Sequence, residues 1–126
     1  MTIKEVSEKY HITQDTLRYY ERVGVIPPVT RTKSGIRNYQ EEDLGWVELS
    51  ICMRAAGLPV ESLIEYVNLC KEGDDTIPAR LDLLKEEKEH LEEKKKQLQA
   101  AIDKLEFKVS RYEVAVKTGI LSWEED

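Results

Sequence analysis

Few of the 126 residues have the chemistry for covalent or acid–base work. The nucleophiles and imidazoles are Cys52, Cys70, His11 and His90. There is no CxxC pair, no Cys/His cluster, no glycine loop to cradle a phosphate and no Ser/His/Asp spacing. The pattern argues against a zinc site in this chain alone, names no cofactor and gives no basis for an enzyme. A cysteine reacts as its thiolate, and a free thiol of pKa about 8.5 is about 3% thiolate at pH 7. Cys52 therefore has two readings. It is inert packing beside Leu49 and Ile51, as buried free cysteines usually are. Or it is a reactive thiol activated from elsewhere, because Arg54 points away around the same helix. Cys70 reads as core or linker packing, and nothing supports a Cys52–Cys70 disulfide.

The second pattern is cationic and aromatic. Thr16, Arg18, Tyr19 and Tyr20 are followed by Arg31, Lys33, Arg37 and Tyr39. Arginine and tyrosine at such spacing suit phosphates and base edges. The whole chain carries 25 acidic and 19 basic residues, net −6, which alone argues against nucleic acid. The average hides a split. Residues 1–39 are net +3 and residues 40–126 net −9. Several of these side chains also have ordinary roles: Tyr20 and Tyr19 as core residues, Lys33 as a solubility charge, Arg18 and Arg37 as solvated cations.

The elements that must position this set are legible in outline. Thr2 and Glu5 form a capping box for a short helix with Ile3, Val6 and Tyr10 on one face. Tyr10-His11-Ile12 breaks it. Thr13 caps a second helix running to about Arg22, with Leu17 and Tyr20 inward, Arg18, Tyr19 and Arg22 outward, and Gly24 as its stop. Two short helices across a three-residue turn make a helix-turn-helix candidate. After Pro27-Pro28, Val29–Thr32 and Ile36–Tyr39 flank Lys33-Ser34-Gly35 and read as a small hairpin that must pack on its neighbours. Glu41-Glu42-Asp43 open a third helix closing at Gly57. Pro59, suited to the first helical position, opens a fourth with Leu63, Val67 and Cys70 on one stripe.

From Thr76, a candidate cap, the pattern changes. Ile77, Leu81, Leu84, Lys88, Leu91, Lys95, Leu98, Ile102, Leu105, Val109, Tyr112 and Val116 follow in alternating steps of four and three, a heptad seam interrupted by the two lysines. Such a helix spans roughly 60 Å at 1.5 Å per residue and needs a partner for its seam. An obligate homodimer through an antiparallel coiled coil is expected, with Leu81, Leu84, Leu91, Leu98, Ile102, Leu105, Val109 and Tyr112 as dimerisation residues. A solvated single helix is the plainer alternative. Trp123 has no assigned role beyond packing on a partner. No stretch approaches the roughly 18–20 apolar residues of a membrane span, and the N-terminus lacks a hydrophobic signal region, so a cytoplasmic protein without a membrane partner is expected.

The string Thr16-Leu17-Arg18-Tyr19-Tyr20-Glu21-Arg22-x-Gly24-x-Ile26-x-Pro28, then Arg31, Ser34-Gly35-Ile36-Arg37-x-Tyr39 and Glu42-Asp43, resembles the MerR family of bacterial transcription regulators. Cys52-Met53-Arg54-x-Ala56-Gly57-Leu58 with Glu72-Gly73-Asp74, and no effector domain, resembles its thiol-based branch, the AdhR- and NmlR-like regulators. The resemblance implies a mainly α fold. A winged helix-turn-helix domain would cover 1–71, with the helix-turn-helix at 2–22, the wing at 29–39 and further helices at 41–56 and 60–71. A linker at 72–75, a dimerisation helix at 76–117 and a tail at 118–126 would follow. It implies DNA contacts from the eight residues named above, with Tyr39 donating its hydroxyl to a phosphate. It also implies a pseudo-palindromic promoter operator, and an activator that bends and untwists promoter DNA so that RNA polymerase engages both promoter elements. It makes Cys52 the sensor of aldehydes or other thiol-reactive electrophiles. The alternatives are a metal- or otherwise ligand-responsive regulator of the same fold, or a coiled-coil scaffold without specific DNA binding.

Overall fold

Local capping chemistry sets the first two helices of the computed structural model, which describes residues 1–124. Thr2 Oγ1 accepts from the Glu5 N–H at 3.1 Å and Glu5 Oε1 accepts from the Thr2 N–H at 3.0 Å, so α1 runs Ile3–Tyr10 from a reciprocal cap. The backbone and hydroxyl of Thr2 together hold the Glu5 carboxyl below its ordinary pKa. His11, at φ 55°, turns the chain left-handed and ends α1. Thr13 Oγ1 then accepts from the Thr16 N–H at 3.1 Å and opens α2, Gln14–Val23. Gly24 closes α2 at φ 90°, a conformation that a side chain would strain.

The segment expected as a two-stranded hairpin has one antiparallel bridge, Arg31 to Arg37, and no named strands. The Thr32 N–H donates to the Ile36 carbonyl at 2.8 Å and the Asn38 N–H to the Thr30 carbonyl at 2.7 Å around Gly35, whose φ is 85°. Arms this short, with no sheet beside them, cannot propagate a ladder. The wing is secured by its ends instead, since Val29 and Tyr39 are buried in the core.

Asp43 Oδ2 accepts from the Gln40 N–H at 2.8 Å and the Thr30 N–H at 3.3 Å, which ties the start of α3, Glu41–Ala55, to the base of the wing. Pro59 occupies the N-cap of α4, Val60–Glu72, one place before the first helical position expected for it. In place of a free linker at 72–75, α4 runs through Glu72, and a 3-10 turn, Asp74–Thr76, leads into α5, Ile77–Thr118. Thr76, expected to cap α5, donates its hydroxyl to the Leu69 carbonyl at 2.6 Å and accepts from Arg80 Nε at 2.9 Å.

Met1–Glu87 forms one compact unit and the chain from Lys88 a second. In the first, Val6, Leu17, Tyr20, Val25, Ile26, Val29, Tyr39, Val47 and Leu63 make a single core joining α1 to α4 and the wing. This unit extends past residue 71 into α5, where Ser62 Oγ donates to Glu87 Oε1 at 2.8 Å. In the second, Gly119 at φ 76° ends α5 and the chain turns back. Arg111 is buried and its Nε donates to the Ser122 carbonyl at 2.7 Å. Trp123, beyond the helix end, packs edge-on against Tyr112 of α5 in the same chain at 5.8 Å between centroids, with Lys108 Nζ over its ring. Glu125 and Asp126, the end of the expected tail, lie outside the described residues. No helix among the described residues is long and apolar enough to cross a membrane.

Candidate nucleic-acid interface

Helix α2 sorts the Arg-Tyr-Tyr run by face. Leu17 is fully buried and Tyr20 is 8% exposed, so both pack inward, while Arg18 and Tyr19 point to solvent. Tyr20 thus takes the core role in the free chain. Arg18 rests on its own helix, Nη1 on Asp15 Oδ1 at 3.1 Å and Nη2 on Gln14 Oε1 at 3.2 Å. Both contacts are surface contacts that an arriving phosphate can displace at small cost. The Arg22 guanidinium lies over the Tyr19 ring, 5.5 Å from its centroid. The Thr16 hydroxyl shares a 2.8 Å hydrogen bond with that of Thr13 at the helix start.

The wing presents Lys33 at its exposed tip. Arg31 and Arg37 flank it, and both guanidinium groups turn to Glu21 of α2. Arg37 Nε donates to Glu21 Oε1 at 2.7 Å, and Arg31 Nη2 stands 3.5 Å from the same oxygen. Arg31 Nη1 also donates to the Gly35 carbonyl at 2.9 Å across the turn. Glu21 Oε2 accepts from the Val29 N–H at 2.9 Å. Burial pushes the Glu21 carboxyl up, but the Arg37 and Val29 hydrogen bonds and the two arginine charges outweigh it and hold the group below its ordinary pKa. Glu21 was not among the residues singled out by sequence. Its signal was that of a lone acid between the arginines of α2 and the wing.

Tyr39 departs from its expected role as a phosphate donor. It is 1% exposed, and its hydroxyl is buried without a hydrogen-bond partner. Arg37 and Tyr39, two positions apart, both turn inward: the guanidinium reaches Glu21 and the phenol enters the core. Burial pushes the phenol up; the charges of Arg37 and Arg18 pull it down and those of Glu21 and Asp43 push it up.

The thiols lie elsewhere in the fold. Cys52 is exposed on α3, so inert burial does not describe it in this chain. Arg54 is committed to the Leu58 carbonyl at 2.7 Å. Cys70 is half-buried beside Tyr66, whose phenol is pushed up by burial and by the neighbouring thiol. Among the described residues, no three His, Cys, Asp or Glu side chains gather closely enough to hold a metal ion. Along α5, Leu98, Ile102, Leu105, Val109, Tyr112 and Val116 are all exposed, as are Ile77, Leu81 and Leu84, while Leu91 is half-buried. Lys88, inside the seam, pairs with Glu92 of its own helix at 3.7 Å.

With this geometry in place, comparison with known proteins is specific. Residues 1–69 match the family described as MerR HTH family regulatory protein. The chain is 54% identical to the HTH-type transcriptional regulator AdhR of Bacillus subtilis over 91 residues, 72% of this chain and 65% of AdhR. It thus spans somewhat less than two thirds of that relative. The fold is similar to the crystal structure of a MerR family transcriptional regulator from Listeria monocytogenes, at 43% identity and TM-score 0.89, covering 94% of this chain and 90% of that one. It is also similar to HiNmlR, a MerR family regulator lacking the sensor domain, solved bound to promoter DNA. There the identity is 30% and the TM-score 0.84, over 95% of each chain.

Proposed function

Because this chain belongs to the MerR family of helix-turn-helix regulatory proteins, we propose that it is a cytoplasmic, dimeric transcription activator. It grips promoter DNA with α2 and the wing, and answers aldehydes or related electrophiles through Cys52. Arg18 and Tyr19, with Thr16 at the helix start, meet base edges and phosphates in the major groove, and Arg31, Lys33 and Arg37 hold the flanking backbone. The α5 seams of two copies pair antiparallel, burying apolar side chains worth about 1.5–3 kcal/mol each before ordering costs. Two heads held by one rigid coiled coil meet a pseudo-palindromic operator and reshape the DNA between them by small movements, so that RNA polymerase gains its contacts indirectly.

The observation that carries the sensing role is the position of Cys52. It is exposed on α3, and α3 also holds the base of the wing through Asp43 and α1 through Glu48. A shift of α3 therefore reaches both parts of the DNA-binding head. The Cys52 thiolate adds to an aldehyde carbonyl carbon, a C–S bond forms, and the carbonyl oxygen takes a proton to give a hemithioacetal. With a quinone the thiolate adds instead to a ring carbon conjugated with the carbonyl; that carbon loses its proton, the ring oxygens are protonated, and the product is a single thioether-substituted hydroquinone. The adduct acts to the extent that it fits one position of α3 better than another.

Thiol mass spectrometry after exposure to an aldehyde and to a quinone tests this reading. Cys52 is expected to be modified first and Cys70, half-buried, more slowly. Modification of Cys70 with Cys52 untouched would refute the sensor role.

A further inference from the structure

Glu21 is an acid inside a surface built to attract phosphates. Its side chain is 11% exposed, and it engages both arms of the wing at once: Arg37 on the returning arm, Arg31 on the outgoing arm, and the Val29 N–H where the chain enters. Arg31 and Arg37 are the pair joined by the one backbone bridge of the wing. A single carboxylate therefore hydrogen-bonds Arg37 and draws Arg31 by charge toward α2, which carries Arg18 three residues before it.

Resting on the DNA-binding reading above, we infer that Glu21 is a specificity clasp, a positioning residue that sets how selectively the wing binds. Two free arginines attract any duplex through its phosphates. Sharing one anion, they contribute less sequence-independent attraction, and their donors are held in a fixed relation to the recognition helix. The correct site, where α2 sits fully in the groove, aligns phosphates with these fixed donors. On other DNA the alignment fails, and the two arginines, with one of their two charges offset by Glu21, add less. Glu21 thus lowers affinity for arbitrary DNA and preserves the difference between operator and non-operator.

The test uses the full chain and two probes: a duplex enriched by the wild-type protein from a random-sequence pool, and a scrambled duplex of the same composition. Affinity is read by fluorescence anisotropy across a salt series. Glu21→Gln removes the charge and keeps one acceptor oxygen, which serves either Arg37 or the Val29 N–H but not both. It is expected to bind the scrambled duplex at least threefold more tightly, to steepen its log K against log salt slope by about 0.9, as one further phosphate contact does, and to cut discrimination at least fivefold. Glu21→Asp, which keeps the charge, is expected to leave scrambled affinity within twofold of wild type. Glu21→Gln with wild-type affinity and slope on the scrambled duplex would overturn the inference. So would equal weakening on both duplexes. If Glu21→Gln does not fold, as thermal melting will show, Arg31→Gln on the wing surface carries the test. Its enriched-duplex affinity is expected to fall at least fivefold and its scrambled-duplex affinity less than twofold, and equal losses would overturn the clasp. A wild-type chain with no salt-dependent affinity for either duplex would instead overturn the DNA-binding reading itself.

Discussion

The hydroxyl of Tyr10 donates to Glu48 Oε1 at 2.7 Å, a bond across 38 positions of sequence that fastens α1 to the middle of α3. The Glu48 carboxylate, with lesser help from burial, pushes the phenol up to about 12. In the unfolded chain Tyr10 ionises near an ordinary tyrosine value of about 10. Below that pH both states are protonated and the contact is fully present. Between about 10 and about 12 the unfolded chain loses its proton first, so stability falls as pH rises. Tyr10→Phe is expected to show a smaller drop in urea midpoint between pH 9 and pH 11 than the wild type. An unchanged drop would mean that the bond does not hold α1 in solution.

Arg18 projects from α2 with only surface contacts to Asp15 and Gln14. Arg18→Ala is expected to cost about 1–3 kcal/mol of operator binding, as for an arginine reading a base, with the dimer intact by analytical ultracentrifugation. Normal binding would mean that α2 is not the recognition helix.

Ile102 and Leu105 stand exposed in the α5 seam, 45% and 62%. Replacing either by Glu places a charge in the seam proposed to pair two copies and is expected to give a monomer by sedimentation, with operator affinity reduced at least tenfold, since only one head would then bind. A wild-type chain that sediments as a monomer, or a Glu variant that stays dimeric, would contradict the coiled-coil reading.

The buried Tyr39 hydroxyl lacks a partner. An unsatisfied buried group costs about 1–3 kcal/mol, so Tyr39→Phe is expected to be as stable as the wild type or up to about 2 kcal/mol more stable in urea unfolding. Operator affinity is expected to be unchanged. A loss of affinity at equal stability would restore Tyr39 to the DNA contacts.

What could be read from sequence is what local chemistry decides. Thr2 with Glu5, Thr13 and Gly24 set helix ends within a turn of themselves, and the inward faces of α1, α2 and α4 followed from spacing alone. The depth of the wing was not readable. Whether Tyr39 faces core or solvent depends on Val29 and the helices packed around it, and the bridge from Arg31 to Arg37 is too short for strand propensity to register. Glu21 escaped because its partners lie 10 and 16 positions away in a segment that acquires its geometry only on folding. The tail escaped for a similar reason. Trp123 meets Tyr112 only because Gly119 reverses the chain.

The sensing role of Cys52 is tested most directly by transcription in vitro from a promoter carrying the enriched operator. Wild type, Cys52→Ser and Cys70→Ser would be compared with and without an aldehyde. All three are expected to bind the operator, and the aldehyde is expected to raise transcription with wild type and Cys70→Ser but not with Cys52→Ser. Full induction of Cys52→Ser would contradict the assignment of Cys52 as the sensor.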